Sequence, residues 1–181
     1  KIFFEIIIAP AYDEAALEIL KQKKNRIILV QKDSPKSTIQ FRSLLNGVLA
    51  QDKDLSVQKS EDLRLVTNRP LKANEEQDLL FANKLVKHTK SNAIILGRNK
   101  QLWAGGTGKT SRVDALKQAI EKAHTFGFDL HGAVMASDAF FPFPDGVEIA
   151  GNEGVKAVVH PGGSVNDQAS VDYCNEHDMS M

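Results

Sequence analysis

The chain has 181 residues, 42% hydrophobic and 25% charged, ordinary globular make-up with enough apolar side chains for a sizeable core. Lys plus Arg and Asp plus Glu both total 23, so no basic excess points to nucleic acid or a membrane surface, and a charged ligand must be met by local groups. The single cysteine, Cys174, excludes an internal disulfide and a thiolate zinc cluster and points to a reducing, cytoplasmic setting, while no apolar run approaches the roughly 20 residues that cross a bilayer.

Residues 2–8 are apolar except for Glu5, the pattern of a strand buried on both faces, where a lone acid is costly unless paired or bound to a ligand. Asp13 is placed to cap a helix whose stripe is Ala16, Leu17 and Leu20, and the cations Lys21, Lys23, Lys24 and Arg26 then fall near its C-terminus, where the helix dipole favours them. Residues 26–31 read as a second strand, 32–36 as a loop, and 39–51 as an extended strand interrupted by Gly47. The polar stretch 53–69 carries a short strand at 63–67, and 53–73 is the place for a sub-boundary within one partial domain. Asn74 is a candidate cap for a helix with Leu80, Phe81, Leu85 and Val86 inward.

Strand-like runs follow at 92–96 and 101–104, then the glycine-rich 105–108. Ser111-Arg112-Val113-Asp114 opens a helix with the stripe Val113, Leu116, Ile120 and Ala123, ending at Gly127. Residues 133–136 form a strand that leads into Ser-Asp-Ala-Phe-Phe-Pro-Phe-Pro-Asp at 137–145, a segment without helical or strand period. A helix near 147–152, a strand at 155–160, the turn Pro161-Gly162-Gly163-Ser164 and a helix at 167–177 complete the chain. Alternation of this kind implies an α/β fold, a layered mixed sheet with flanking helices. The chain opens without methionine and closes on Met179-Ser180-Met181, where a further strand begins, so both ends are expected to be cuts in a longer protein.

Four stretches carry chemistry. Three phenylalanines held by two prolines, with acids at either end, make 137–145 either a bed for a planar ligand or a plug for the core. Residues 106–110, Gly-Thr-Gly-Lys-Thr, invite a nucleotide phosphate-loop reading, but the motif's first glycine would fall at Trp103, whose bulk blocks the phosphate-wrapping turn. A glycine turn before a helix still exposes amides to an anion, and Arg112 in the first turn runs against the dipole, which favours a role toward phosphate or carboxylate. Asn92, in an otherwise apolar run, is either a strand-edge cap or an amide that reads a ligand. The five histidines show no metal-ligand spacing.

Phe3-Phe4-Glu5-Ile6-Ile7-Ile8-Ala9-Pro10, Lys23-Lys24-Asn25, Lys90-Ser91-Asn92-Ala93, Gly106-x-Gly108-x-x-Ser111-Arg112-Val113-Asp114, the Phe-Pro segment and Pro161-Gly162-Gly163-Ser164, in this order, resemble the C-terminal part of the AICAR transformylase/IMP cyclohydrolase family. The resemblance implies a cytidine-deaminase-like fold, a homodimer that shares its active sites, and formyl transfer from the cosubstrate 10-formyltetrahydrofolate to the 5-amino group of AICAR in purine biosynthesis. It further implies that Glu5, Asn92, Arg112 and Phe140 contact AICAR, with Asn92 orienting the reacting amine, and that Val113, Asp145, Ser164 and Val165 contact the folate. Thr89, Ser91 and Asp138 stand near family positions linked to a structural monovalent cation, potassium being the type that oxygen ligands suit. The deaminase zinc signature is absent, so zinc is not expected. The family's catalytic Lys-His pair lies upstream of residue 1, so this piece alone is expected to be inactive; Lys87-His88 does not match that context. Lys109 stands where the family has glutamine and Pro144 where it has arginine, and the arginine-rich C-terminus is missing.

Overall fold

A computed structural model describes residues 3–32 and 37–181, which divide into two compact units, Lys1–Leu55 and Ser56–Met181. Ile2 and most of the 32–36 loop lie outside the described residues.

In the first unit, β1 (Ile6–Ala9) pairs in parallel with β2 (Ile27–Val30), joined by α1 (Glu14–Lys21). Tyr12 clips the two strands, its hydroxyl donating to the carbonyls of Leu29 at 2.8 Å and Ile7 at 3.2 Å. The strand buried on both faces is not found: β1 alternates between exposed and half-buried positions, and Glu5 is exposed just before it. A two-stranded sheet has too little surface to cover both faces of an apolar strand. In α1, Ala16, Leu17 and Leu20 are half-buried as the stripe predicts, although Asp13 at the N-cap makes no side-chain cap bond. Arg26 closes the C-terminal end as a cation should: Nη1 donates to the Leu20 carbonyl at 3.1 Å, and the guanidinium lies 4.1 Å from the Phe4 ring centroid.

The single strand over 39–51 is corrected to an antiparallel hairpin, β3 (Ile39–Leu44) and β4 (Gly47–Asp52), with Leu44 opposite Gly47 across the two-residue turn Leu45-Asn46. The chain reverses at Leu45-Asn46 and Gly47 opens the return strand, so the glycine break lies beside a turn between two strands.

The second unit is built on a four-stranded mixed sheet in the order β6-β5-β7-β8. Its strands are β5 (Ile94–Arg98), β6 (Gln101–Gly106), β7 (Val134–Ser137) and β8 (Ala157–Val159); β5 runs antiparallel to β6 and β7, and β8 parallel to β7. The inner strands are buried on both faces, as their unbroken apolar runs require. Ala93, Ile95, Val134 and Ala136 pack with Leu79, Ala82 and Val86 of α2 (Ala73–Lys87). Ile94, Leu96 and Met135 pack with Leu116 and Ile120 of α3 (Arg112–Thr125), Val147 of α4 (Asp145–Asn152) and Cys174 of α5 (Asp167–Glu176).

Helix α2 is not capped by Asn74. The Glu75 carboxylate accepts the Lys72 amide at 3.1 Å and is itself gripped by Arg69 through two contacts of 2.7 and 2.9 Å. Residues 63–67 form no strand; they are held instead by the chain end, Val66 donating to the Met181 carbonyl at 2.9 Å and Met181 to the Thr67 hydroxyl at 2.9 Å.

Asn99 and Lys100 join β5 to β6 with φ of 54° and 55°, the left-handed pair of a type I′ turn. The buried Asp78 carboxylate accepts both of their amides, at 2.8 and 2.7 Å. At the other end of β6, Gly105 and Gly106 continue the strand instead of forming a loop. A Cβ on Gly106 would lie 1.7 Å from the Ala115 carbonyl oxygen, so this glycine is what lets α3 rest directly on the sheet.

Candidate functional site

The strand directions bring four chain segments to one edge of this sheet. Ile94, at the start of β5, lies opposite Gly106, at the end of β6, and Ser137, at the end of β7; Ala136 lies beside Val159, at the end of β8. The residues before β5, the 107–111 turn with the start of α3, the Phe-Pro segment and the glycine turn after β8 therefore all emerge here. Edges of this kind are where α/β sheets place ligands.

Asp138 is the hub. Its Oδ1 accepts Arg112 Nη1 at 2.5 Å and the Ala93 amide at 3.0 Å, and its Oδ2 accepts the Ser91 hydroxyl. Only 11% of the Arg112 side chain and 13% of the Asp138 side chain are exposed, so the pair sits mostly out of water. Burial opposes ionisation of Asp138, but the Ser91 hydroxyl, the Ala93 amide and Arg112 together outweigh it and hold the carboxyl below the usual carboxylate range. Arg112 Nε also donates to the Phe140 carbonyl at 3.0 Å, so one guanidinium fixes both the acid and the aromatic beside it. Asn92 is fastened to the facing turn, its amide and side-chain Nδ2 donating to the Lys109 carbonyl at 3.2 and 3.0 Å.

The rings of the Phe-Pro segment divide between inside and outside. Phe141 is 2% exposed and plugs the core, whereas Phe140 and Phe143 face outward. Asn166 ties this segment to the glycine turn through Nδ2 on the Pro142 carbonyl at 2.8 Å. Ser164 and the fully outward Val165 lie on that turn, Val113 is half-buried in the first turn of α3, and Asp145 opens α4 with Oδ1 accepting the Gly146 amide at 2.9 Å.

Asn92, Arg112 and Phe140 are thus brought to one edge, together with Val113, Asp145, Ser164 and Val165. Glu5 belongs to the first unit. One expectation changes. Residues 106–110 form no anion cradle: Gly106 is filled from behind by Ala115, the Thr107 amide goes to Gln118 Oε1 at 3.1 Å and the Gly108 amide to the Lys90 carbonyl at 2.8 Å. Of Thr89, Ser91 and Asp138, the last two are in contact, the Ser91 hydroxyl donating to Asp138, while the Thr89 hydroxyl donates to the Leu85 carbonyl at 2.8 Å. Among the described residues no cluster of His, Cys, Asp or Glu is arranged to hold a metal, and no helix is long and apolar enough to cross a membrane.

The sequence did not reveal the Arg112 partner of Asp138, nor His160. The histidine stands between the core and the edge, its ring 5.2 Å from Phe141. Its Nδ1 accepts the Gly162 amide at 3.1 Å, which leaves the proton on Nε2, 3.3 Å from the Met181 sulfur. Burial lowers its pKa most, Asp167 works against this and Arg112 with it, so the net shift is downward and the ring is neutral at pH 7. Its place just before a Gly-Gly turn was the available signal.

The family model for the AICARFT/IMPCHase bienzyme matches residues 1–122. The chain belongs to that family. A "Bifunctional purine biosynthesis protein PurH" from Bacteroides thetaiotaomicron is 66% identical over 181 residues, all of this chain and 36% of the relative. Proteins of the same name from Aquifex aeolicus and Chlorobium phaeobacteroides are 49% and 45% identical, over 99% and 100% of this chain and 35% of each relative. The chain therefore spans about a third of the length of these curated relatives. A solved Thermotoga maritima diaminohydroxyphosphoribosylaminopyrimidine deaminase/reductase aligns with 59% of this chain and 34% of its own at 19% identity and a TM-score of 0.38, too low to assign the fold.

Proposed function

We propose that this chain supplies part of the substrate and folate site of an enzyme that moves the formyl group of 10-formyltetrahydrofolate onto the 5-amino group of AICAR, in the purine pathway to IMP. The observation that carries the reading is the edge cluster itself: in a chain of this family, Asp138 holds Arg112 and the residues on either side of Asn92, and Arg112 holds the outward Phe140. Phe140 offers its face to the ribotide's flat ring, Asn92 an amide to orient the amine, and Arg112 its uncommitted Nη2 to a polar oxygen of the substrate. Glu5 is assigned to AICAR as well. Val113, Ser164 and Val165 line the folate side, and the Asp145 oxygen not engaged by Gly146 accepts from the pterin's N–H donors.

In the reaction the amine nitrogen attacks the formyl carbon, the tetrahedral intermediate loses its bond to the folate nitrogen, and the proton shed by the amine returns to that nitrogen. The base and the cation for the oxyanion come from outside this chain. We further propose a cytoplasmic homodimer sharing its sites, IMP cyclohydrolase activity in the longer parent, and a deaminase-like layering.

Calorimetric titration with folic acid tests the site. Wild-type chain binds, and Asp145→Ala weakens binding roughly ten- to a hundredfold, the worth of a hydrogen bond to a charged group; equal affinity in the two proteins sinks the assignment.

A further inference from the structure

Three consecutive amides of the glycine turn are held by side chains that flank it. The Gly162 amide goes to His160 Nδ1 at 3.1 Å, and those of Gly163 and Ser164 to one oxygen of Asp167, Oδ2, at 2.7 and 3.1 Å. Gly162 and Gly163 have φ of +67° and +99°, left-handed backbone that turns successive amides toward a common side. Such a nest ordinarily takes an anion; here the protein's own carboxylate occupies it, and its other oxygen, Oδ1, is enclosed without a protein partner. The next residue is equally committed: the Asn166 amide donates to the Ser164 hydroxyl at 3.1 Å and its side chain to Pro142.

We propose that His160 and Asp167 are positioning residues: by accepting the amides of Gly162, Gly163 and Ser164 they hold the glycine turn rigid, and through Asn166 they join it to the Phe-Pro segment as one preformed ligand-binding wall. This rests on the folate reading only for the identity of the ligand. Binding a ligand to a loose loop costs ordering entropy, and a loop whose amides are already bonded avoids it. His160 serves only while neutral, since a protonated Nδ1 no longer accepts. Asp167 faces it from α5 and Arg112 from α3, with Phe141 and Met181 completing its surroundings. Its lowered pKa means the Gly162 amide is held at neutral pH and released as pH falls through that value, below the ordinary ~6.5, while Asp167 keeps the other two.

Hydrogen exchange on the full chain, followed residue by residue, reads the holding directly, and folic acid affinity reads its use. In Asp167→Ala the amides of Gly163 and Ser164 exchange at least about tenfold faster while those of β7 are unchanged, and affinity drops roughly tenfold. Asp167→Asn, which keeps one oxygen acceptor, restores much of both. His160→Leu frees the Gly162 amide, and His160→Asn, whose oxygen replaces Nδ1, holds it at every pH while wild type loses it on acidification. Unchanged exchange in both Asp167→Ala and His160→Leu overturns the proposal, as does faster exchange with unchanged affinity for a ligand that wild type binds. Should wild type fail to bind folic acid at all, the folate reading fails, and exchange alone decides whether the side chains hold the turn.

Discussion

Replacing Asp138 with alanine removes one carboxylate and strands three groups: the Arg112 guanidinium, the Ser91 hydroxyl and the amide of the buried Ala93. Losing one partner of a buried ion pair costs about 3–5 kcal/mol, and an unpaired buried amide about 1–3. These overlap, because the same oxygen serves Arg112 and Ala93, and a tenth of the pair remains in contact with water, so about 3 kcal/mol is the expected loss. For a unit of this size that lowers the melting temperature by roughly 10 °C. The assay is thermal unfolding by circular dichroism at pH 7, with Asp138→Ala/Arg112→Leu as the comparison. Removing the stranded charge as well should return part of the lost stability. A single variant melting within about 2 °C of wild type, or a double variant no better than the single, would refute the ascribed role of the pair. The pH dependence has a definite sign: because Asp138 titrates below its unfolded value near ~3.9, its contribution is fully present above that pH and disappears as pH falls through the lower folded pKa.

Two further outcomes follow from packing. Gly106→Ala forces α3 away from β6 by about 1.7 Å to reach an ordinary contact, at roughly 3 kcal/mol, and moves Arg112 with the helix; chemical denaturation would measure the loss, and a variant as stable as wild type would contradict the backbone contact with Ala115. Burial pushes the Cys174 thiol up to about 12, so a disulfide reagent at pH 8 should leave the native protein unmodified and react once denaturant is added.

Much of the second unit was legible because local and global signals agree there. The Ser111 hydroxyl accepts the Asp114 amide at 3.1 Å, as the helix-start pattern predicts, and α3 buries Leu116, Ile120 and Ala123 along the expected stripe. What was not legible depended on partners distant in sequence. The protein partner of Arg112 was hidden because that carboxylate is 26 residues away. The glycines at 105 and 106 looked like a loop because the reason for them, the Ala115 carbonyl, lies on the helix that follows. Residues 63–67 were apolar enough for a strand, yet the partner they meet is the chain end, 114 residues on from Thr67. The β3–β4 turn is different: the break at Gly47 was visible locally, but the alternation on either side of it read as one strand.

The two ends of β5 are held by separate acids, Asp138 on the Ala93 amide and Asp78 on the amides of Asn99 and Lys100. A slip of one residue would turn the strand's whole apolar set over and leave both carboxylates facing empty positions. The register of this inner strand is thus locked independently at each end, and the segments beyond Ala93 can vary in sequence without shifting the frame on which the site is built.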